Sequence, residues 1–463
     1  MSHRHVLAAT GDKGELISSG QGHPCDDGRL HRLVVEIETL VEDLKTLCAA
    51  IANVQRVLDR QNENANWNRT VFGPRLPNLY EVANLSREAD RIKQRIDDRA
   101  GTVMELYREW GVMPLNRWFS WPGAALEVLK CWDAEIEVFD GRDRLLTNIE
   151  QPEQVVELQW ILPMRPKQYT LGQDLCTWMF PHLDQSRSKS GQSMRQFFDD
   201  DTKLKSAIEA AAKSGTVSPR SVRAKLKGGR AIPTNFPPMV AQAIFERYTP
   251  VGGTIWDPCG GWGGRMLGAL TSRNDYTYIA TEVDTRTVDC LRELGALIEN
   301  VTGRDGSFRI VKSGSEDYSD RCGDVDCVFT SPPYYDAEDY GADSDNAEEQ
   351  SHNKYPTLQT WVDGFVQGTV RNIAKALRPG GRAVINIADR TNNSIDIVDE
   401  WVRASLSEGL VLEDVSVLSL TKRPSRDEGG RPKKREPGKK SAQSLADYKA
   451  VGSHEPLLVF RRP

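Results

Sequence analysis

Apolar residues recur at alternating steps of four and three between residues 33 and 58, a spacing typical of a helix with one apolar seam. The series is Leu33, Ile37, Leu40, Leu44, Leu47, Ile51, Val54 and Leu58. A second series, from Val82 to Leu106, nearly repeats the pattern and is interrupted by Arg99. The connecting stretch NENANWNRTVFGPRLPN (62–78) contains two prolines, which end the first helix. The pattern therefore predicts two amphipathic helices within a helical region at 31–112.

Three arrangements of these helices are open. They can fold back as an antiparallel hairpin, or the first can pair with a second copy of the chain and form a homodimer through residues 33–58. They can also be two core-packed helices with no role in binding a partner. The residues before them, 1–30, combine scattered histidines with Gly, Ser and Asp in irregular spacing. That composition indicates a disordered leader, and no metal site is expected.

The amino-acid composition changes in residues 113–230. Six of the eleven tryptophans lie between residues 110 and 178. The stretch EIEVFDGRDRLLT suggests a β-hairpin that turns at Asp140 and Gly141. We expect a small mixed α+β domain here, with most of its tryptophans in a core. It ends in a basic linker, SPRSVRAKLKGGR (218–230), which either contacts phosphates or is only solvated.

Seven strand-like runs alternate with helical ones in residues 231–463. They are GTIWDPC, YTYIATEV, FRIVKS, CVFTSPP, RAVINIAD, LEDVSVLSL and EPLLVF. This alternation predicts a Rossmann-like α/β fold, with a mostly parallel seven-stranded sheet covered by helices on both faces. Ligands of such sheets bind at the carboxyl ends of the strands. Functional residues should therefore follow directly after each run.

Composition narrows the cell compartment but not the partner. The chain has 463 residues and a net charge of −6, so contact with nucleic acid requires a local basic patch. One such patch is a Gly- and Pro-rich insertion at 421–446, which begins TKRPSRDEGGRPKKREPGKKS. The eight cysteines form no CxxC pair, which favours free thiols in the cytoplasm. No apolar run approaches the roughly 20 residues of a membrane helix, so no membrane contact is expected.

The first two strand ends carry residues suited to a nucleoside cofactor. The stretch DPCGGWGGR (257–265) places Asp257 and Cys259 before a tight turn that Gly261 and Gly263 permit. Glu282 ends the next run, where a carboxylate can accept hydrogen bonds from two ribose hydroxyls. The loop lacks the lysine of a nucleotide-phosphate cradle. Together these residues predict an adenosine-type cofactor without phosphates.

Two motifs carry a family resemblance. DPCGGWGG resembles the DPFxGxG loop, and TSPPYY resembles the [DNS]PP[YFW] signature, of S-adenosylmethionine-dependent DNA methyltransferases that modify exocyclic amino groups. The resemblance covers residues 231–463, and the order of the motifs is that of the gamma class. It implies S-adenosyl-L-methionine as cofactor and DNA, with a flipped base, as partner. It also implies that Asn235 and Phe236 in TNFPP contact the cofactor. This sequence departs from the family pattern at Cys259, where phenylalanine is usual.

The resemblance assigns the catalytic role to Ser331, Pro332, Pro333 and Tyr334. An exocyclic amine delocalises its lone pair into the ring, so methylation requires acceptors that let the nitrogen become pyramidal and cationic. The Ser331 hydroxyl and the Pro332 carbonyl can accept its N–H groups, and the two prolines hold the backbone rigid. Tyr334 would stack on a base flipped out of the duplex. For Tyr335, a second stacking role and a core role stay open.

The serine of SPPY favours cytosine N4 as the target over adenine N6, as the resemblance implies. Methylation of an RNA base or a protein amide is a further alternative, and a non-catalytic DNA-binding or assembly protein is another. One feature argues against ordinary duplex DNA: seven acids follow the motif within residues 336–349. Because acids beside a DNA phosphate are unfavourable, these residues either form a lid that faces away from DNA or indicate a different substrate.

Overall fold

The computed structural model describes most of the chain. The described residues are 28–63, 79–109, 121–135, 139–146, 155–162, 170–188, 191–214, 219–228, 232–318, 325–341, 344–388, 397–419 and 454–463. They form two compact units. The helical unit lies within 15–118 and 192–232, and the sheet unit within 119–191 and 233–463. Residues 1–27 of the predicted leader (1–30) and the basic insertion at 421–446 lie outside the described residues, and residues 28–30 are helical, which corrects the end of the predicted leader.

The strands all belong to the sheet unit. They are β1 (Phe139–Leu146), β2 (Val155–Leu162), β3 (Arg187–Ser188), β4 (Thr254–Asp257), β5 (Thr277–Glu282), β6 (Phe308–Lys312), β7 (Val325–Thr330), β8 (Glu338–Asp339), β9 (Leu377–Asn386), β10 (Val411–Ser419) and β11 (His454–Arg461). Nine of them form one sheet in the order β1-β2-β10-β11-β9-β7-β4-β5-β6. β3 and β8 pair separately as a short antiparallel ladder.

The seven strands predicted for a Rossmann-like α/β sheet are confirmed, and each coincides with one of the apolar runs. β6, β5, β4, β7 and β9 are parallel neighbours, whereas β11 is antiparallel to both β9 and β10. Every residue of β7 is buried, as expected for a strand covered on both faces. Parallel pairing brings the carboxyl ends of β5, β4 and β7 to one edge of the sheet.

Helices occur in both units. In chain order the helices are α1 (Gly28–Glu63), α2 (Leu79–Glu109), α3 (Trp121–Trp132), α4 (Gln173–Met179), α5 (Met194–Asp199), α6 (Asp201–Lys213), α7 (Pro219–Lys227), α8 (Pro238–Tyr248), α9 (Gly264–Leu270), α10 (Thr285–Thr302), α11 (Ser351–Lys354), α12 (Leu358–Trp361), α13 (Gln367–Ala376) and α14 (Ile397–Ser407). Successive strand residues enter different cores: Ile255 and Cys327 join one apolar cluster, and Trp256 and Val328 join the other. Because side chains alternate between faces, the sheet carries one core on each face.

The structure divides the middle of the chain differently from the predicted domain at 113–230. β2 hydrogen-bonds to β10 and so extends the main sheet. Residues of α3 and α4, such as Val128 and Leu175, are buried in the same core as α8 to α10. The predicted turn at Asp140 and Gly141 is wrong, because both residues lie inside β1, paired with β2. A hairpin does form, but its connection falls at 147–154, outside the described residues.

The helical unit contains α1, α2, α5, α6 and α7. Arg29 of α1 pairs with Glu109 of α2, and Arg99 of α2 pairs with Glu36 of α1, so the two helices run antiparallel. Buried residues of both helices share a core with α6 and α7. The hairpin alternative is therefore the one observed within the chain, and the homodimer stays a prediction.

The predicted basic linker is an amphipathic helix. Most of it forms α7, whose Val222 and Leu226 are buried in the helical unit, whereas Arg220 and Lys225 are exposed. None of the described helices is apolar over a length that would cross a membrane.

Candidate active site

Three of the predicted functional segments meet at one edge of the sheet. β4 pairs with β5 on one side and with β7 on the other, all in parallel. Glu282 is the last residue of β5, the glycine loop (residues 258–263) follows β4, and Ser331 follows β7. The topology therefore brings the proposed ribose acceptor, the cofactor loop and the catalytic corner (Ser331–Tyr334) side by side.

Asp257 supports the glycine loop from within the protein. Its carboxylate has no exposed surface and accepts hydrogen bonds from Arg265 Nε at 2.7 Å and from Tyr278 Oη at 2.6 Å. It also accepts the Cys259 N–H at 3.2 Å, while Arg265 donates to the Cys259 carbonyl. Burial beside Asp257 raises the pKa of Tyr278 well above its ordinary value, so the phenol stays a donor. All described contacts of Asp257 are with protein, and its direct contact with a cofactor stays a prediction.

The glycines of the loop are required by both conformation and space. Gly261 and Gly263 have φ values of +55° and +73°, which L side chains rarely adopt. A Cβ on Gly263 would lie 2.6 Å from Leu294 and 2.8 Å from the ring of Phe180. Substitution there would therefore force the loop outward. The Gly261 N–H donates to Glu282 Oε2 at 2.9 Å, which ties the loop to the end of β5.

Glu282 is a half-buried carboxylate held in place by backbone donors. Besides the Gly261 N–H, it accepts the N–H groups of Val283 at 2.8 Å and Asp284 at 3.1 Å. Burial raises its pKa, and these backbone hydrogen bonds only partly offset the increase. The carboxylate oxygens retain lone pairs for further donors, as contact with two ribose hydroxyls requires.

Asn235 contacts the glycine loop, whereas the ring of Phe236 contacts β7. Asn235 Nδ2 donates to the Trp262 carbonyl at 2.7 Å. The ring of Phe236 meets that of Phe329 edge-on at 5.3 Å. Asn235 thus helps to position the loop, Phe236 packs beside β7, and the contact of either residue with a cofactor stays a prediction.

Cys259 is a poor nucleophile in this setting. Its side chain is partly buried beside the apolar core that contains Trp256. Burial, together with the nearby carboxylates of Asp257 and Glu282, raises the pKa of its thiol far above the usual range. The thiol is therefore protonated at neutral pH. The cysteine side chain occupies less volume than the phenylalanine that is usual at this position in the family that the loop resembles.

The catalytic corner lies between the end of β7 and the acidic segment (residues 336–349). Ser331 and Pro333 are partly exposed and Pro332 is buried. Tyr334 is 8% exposed, and its ring belongs to the apolar core on that face of the sheet. Ser331 can therefore face a ligand, whereas a stacking role for Tyr334 stays a prediction.

The acidic segment contacts the ends of three strands. The Tyr340 ring meets Trp262 of the glycine loop at 5.5 Å, and Asn346 Nδ2 donates to the Val283 carbonyl after β5 at 2.5 Å. Glu349 pairs with Lys312 at the end of β6, at 3.6 Å. The segment therefore covers the side of the candidate site that contains the glycine loop and Glu282.

Some of its acids have partners within the sheet unit. Asp339 pairs with Arg187 at 3.1 Å, and Glu338 accepts a hydrogen bond from the Tyr340 hydroxyl. The ion pair is reinforced by the ladder between β3 and β8. These contacts hold the acids in a segment that packs over the strand ends, and a lid that faces away from DNA stays a prediction.

Residues 170–188 form a wall of the site that the sequence did not reveal. Phe180 lies against Gly263, and the helix that contains Cys176 packs in the core beneath the loop. His182 Nε2 lies 2.8 Å from Thr287 Oγ1, in the first turn of α10. No local motif marks these residues, because only the folded chain brings them to the glycine loop.

His182 provides a test of this wall by its pH dependence. Burial lowers its pKa to about 4 from 6.5, so the folded chain holds a neutral imidazole while the unfolded chain takes up a proton. The contribution of His182 to the free energy of unfolding is therefore complete above its ordinary pKa of 6.5. It is lost as pH falls toward about 4, which lowers the free energy of unfolding by up to roughly 3 kcal/mol. We expect the urea midpoint of the wild type to fall between pH 7 and pH 5. The His182→Gln variant should show a smaller fall, and an equal fall would contradict this assignment.

Comparison with known proteins gives matches to structures only. No model of a protein family matches the chain, and neither does any curated protein. A TehB-like SAM-dependent methyltransferase from Corynebacterium glutamicum is 16% identical, over 50% of this chain and 90% of that protein, with a TM-score of 0.29. TrmN from Thermus thermophilus is 16% identical, over 49% of each chain, with a TM-score of 0.31. A methyltransferase from Pyrococcus furiosus is 16% identical, over 50% of this chain and 84% of that protein, with a TM-score of 0.29.

Proposed function

We propose that the chain is a DNA methyltransferase that transfers a methyl group from S-adenosyl-L-methionine to an exocyclic amino group of a base, with cytosine N4 favoured. The observation that carries the proposal is the adjacency of Glu282, the glycine loop and Ser331 at the ends of three parallel neighbouring strands. Ligands of doubly wound sheets bind at this edge. A methyl donor and an amine acceptor held there would meet over β4 and β7.

The cofactor supplies an electrophilic methyl group on a sulfonium, and the chain supplies its setting. Glu282 would accept the two ribose hydroxyls, while the tight turn at Gly261 and Gly263 leaves space for the cofactor against the backbone. The network of Asp257, Arg265 and Tyr278 holds that turn. No phosphate-binding lysine is needed for this cofactor.

The acceptor amine would lie against Ser331 and the Pro332 carbonyl. Both are hydrogen-bond acceptors for its N–H groups, and they stabilise the positive charge that develops as the nitrogen attacks the methyl group. Because the two prolines restrict the backbone, these acceptors are preorganised. Tyr334 would hold the flipped base once its ring is exposed.

The favoured target is cytosine N4, and adenine N6 is the alternative, because both present an amine conjugated to a ring. The serine of the motif is the reason for this preference. An RNA base or a protein amide is a further alternative. DNA phosphates would be contacted by the basic insertion at 421–446, which contains nine Lys and Arg residues between 421 and 441.

Glu282→Gln tests the cofactor half of the proposal. A neutral amide replaces a charged acceptor, so the Kd for S-adenosylmethionine should rise about 10- to 100-fold. In the wild type, affinity should fall as pH drops through the carboxyl pKa, which burial raises above its ordinary value. Calorimetric titration between pH 4.5 and pH 7.5 measures both effects. Wild-type affinity in the variant, or an identical pH profile, would remove Glu282 from the site.

Methyl transfer itself is tested by incubating the protein with methyl-labelled cofactor and equal amounts of duplex DNA, single-stranded DNA, RNA and a protein extract. We expect label in DNA, and digestion to nucleosides should place it in N4-methylcytosine. Label in N6-methyladenine would select the alternative target. Label only in RNA or protein would contradict the assignment to DNA.

A further inference from the structure

Tyr335, directly after the catalytic corner, has an unusual backbone. Its φ is +55°, in the left-handed region, where the only other non-glycine residue of the described chain is Asp275. Such a conformation is uncommon for a bulky side chain and persists only where the surroundings enforce it. Strain of this kind is concentrated at functional sites. The contacts that hold Tyr335 in this conformation therefore bear on the function of the adjacent catalytic corner.

Two contacts anchor the Tyr335 side chain. Its hydroxyl donates to the Pro356 carbonyl at 2.8 Å. Its ring lies 5.7 Å from the ring of Trp361, which is fully buried. The first contact joins the two ends of the stretch 335–356, and that stretch includes the acidic segment. The anchor of the catalytic corner is thus also the closing point of the cover.

The element that receives Tyr335 is itself irregular and rigid. Trp361 stacks on Phe365 at 5.2 Å and donates to Ser351 Oγ at 3.1 Å. A π-helical turn, Val362–Val366, joins α12 to α13. Such turns are frequent at functional sites. The anchor therefore lies on a packed surface.

We propose that Tyr335 is a positioning residue for the methyl-transfer reaction, a role that rests on the proposed function. Its strained backbone turns the chain sharply after Pro332, Pro333 and Tyr334, and its anchored side chain prevents that turn from relaxing. The acceptors at Ser331 and Pro332 are thereby held toward the amine. Of the two roles that the sequence left open for Tyr335, this proposal therefore assigns it packing and not base stacking.

The test compares Tyr335→Phe, Tyr335→Gly and Tyr335→Ala with a matched control, Tyr276→Phe. Tyr276 also donates its hydroxyl to a carbonyl, that of Phe245 at 3.2 Å, and it precedes β5 at the far edge of the sheet. We expect kcat to fall about 10-fold in Tyr335→Phe and about 100-fold in the Gly and Ala variants, because misplacement of a reacting group by about 1 Å has effects of this size. The KM for the cofactor should stay within about twofold, and the control should keep the wild-type kcat.

A stability measurement separates positioning from simple packing. Glycine adopts φ near +55° without strain, so Tyr335→Gly should retain a higher thermal midpoint than Tyr335→Ala while losing as much activity. Wild-type kcat in Tyr335→Phe, or activity that follows the thermal midpoint across all variants, would overturn the inference. A wild type with no methyl transfer to any substrate would instead refute the proposed function together with this role.

Discussion

Ser331→Ala is expected to lower kcat for methyl transfer about 100- to 1000-fold, because it removes one of the preorganised acceptors at the amine. Adding Tyr334→Ala should reduce transfer to background, since the base would also lose its stacking surface. The fall should occur in kcat, with the Kd for the cofactor within about twofold of the wild type. Steady-state transfer of labelled methyl groups to duplex DNA measures these parameters.

A matched control for this prediction is Ser407→Ala. The Ser407 hydroxyl donates to the Ala404 carbonyl at 2.8 Å at the end of α14, so its loss affects only local helix structure. We expect wild-type kcat in this variant. If Ser331→Ala with Tyr334→Ala were as active as Ser407→Ala, the catalytic corner would be assigned to the wrong residues.

Arg265→Met is expected to destabilise the sheet unit by about 3–5 kcal/mol, because it leaves the Asp257 carboxylate buried without its charged partner. The side chains of Arg265 and Asp257 are 7% and 0% exposed. The glycine loop would also lose the donor to the Cys259 carbonyl, so cofactor affinity should fall as well. Urea unfolding monitored by fluorescence and cofactor titration measure the two effects.

Two further variants test the cause of that loss. Arg292→Met breaks an exposed ion pair with Asp289, at 3.3 Å, and should change stability by less than about 1 kcal/mol. In the double variant Asp257→Asn with Arg265→Met the buried charge is absent, so part of the lost stability should return. If Arg265→Met were as stable as Arg292→Met, the buried pair would have no structural role.

The sequence was most informative where a local pattern determines the structure. Each run of buried β-forming residues in 231–463 became a strand, because a parallel sheet covered on both faces requires continuous apolar runs. The residues after those runs met at one edge, since parallel strands present their carboxyl ends together. The sequence alone therefore predicts that Glu282, the glycine loop and Ser331 lie near each other.

Contacts between residues that are distant in the sequence could not be predicted from local patterns. Nothing local to Phe180 or Arg187 shows that they contact the glycine loop and the acidic segment. The turn at Asp140 and Gly141 was mispredicted because pairing with β2 overrides the turn preference of the dipeptide. The pairing of β2 with β10 likewise depends on tertiary structure. The positive φ of Tyr335 has no sequence signal, because tyrosine does not favour that conformation.

The acids after the SPPY motif show what the sequence reveals about charge and what it leaves out about contacts. Their charge alone argued against ordinary duplex DNA, but Asp339 and Glu349 have basic partners at Arg187 and Lys312. Exposed pairs of this kind contribute only about 0–1 kcal/mol each, which suits a cover that has to admit a cofactor. The sequence showed the charges, and only the folded chain showed their partners.

The central claim, methylation of an exocyclic amine of a DNA base at the catalytic corner, is tested most directly in cells. DNA from cells that express the wild type, or the variant with Ser331→Ala and Tyr334→Ala, is sequenced for modified bases. We predict N4-methylcytosine at a defined sequence context with the wild type and none with the variant. Unmodified DNA from both, or equal modification by both, would contradict the claim.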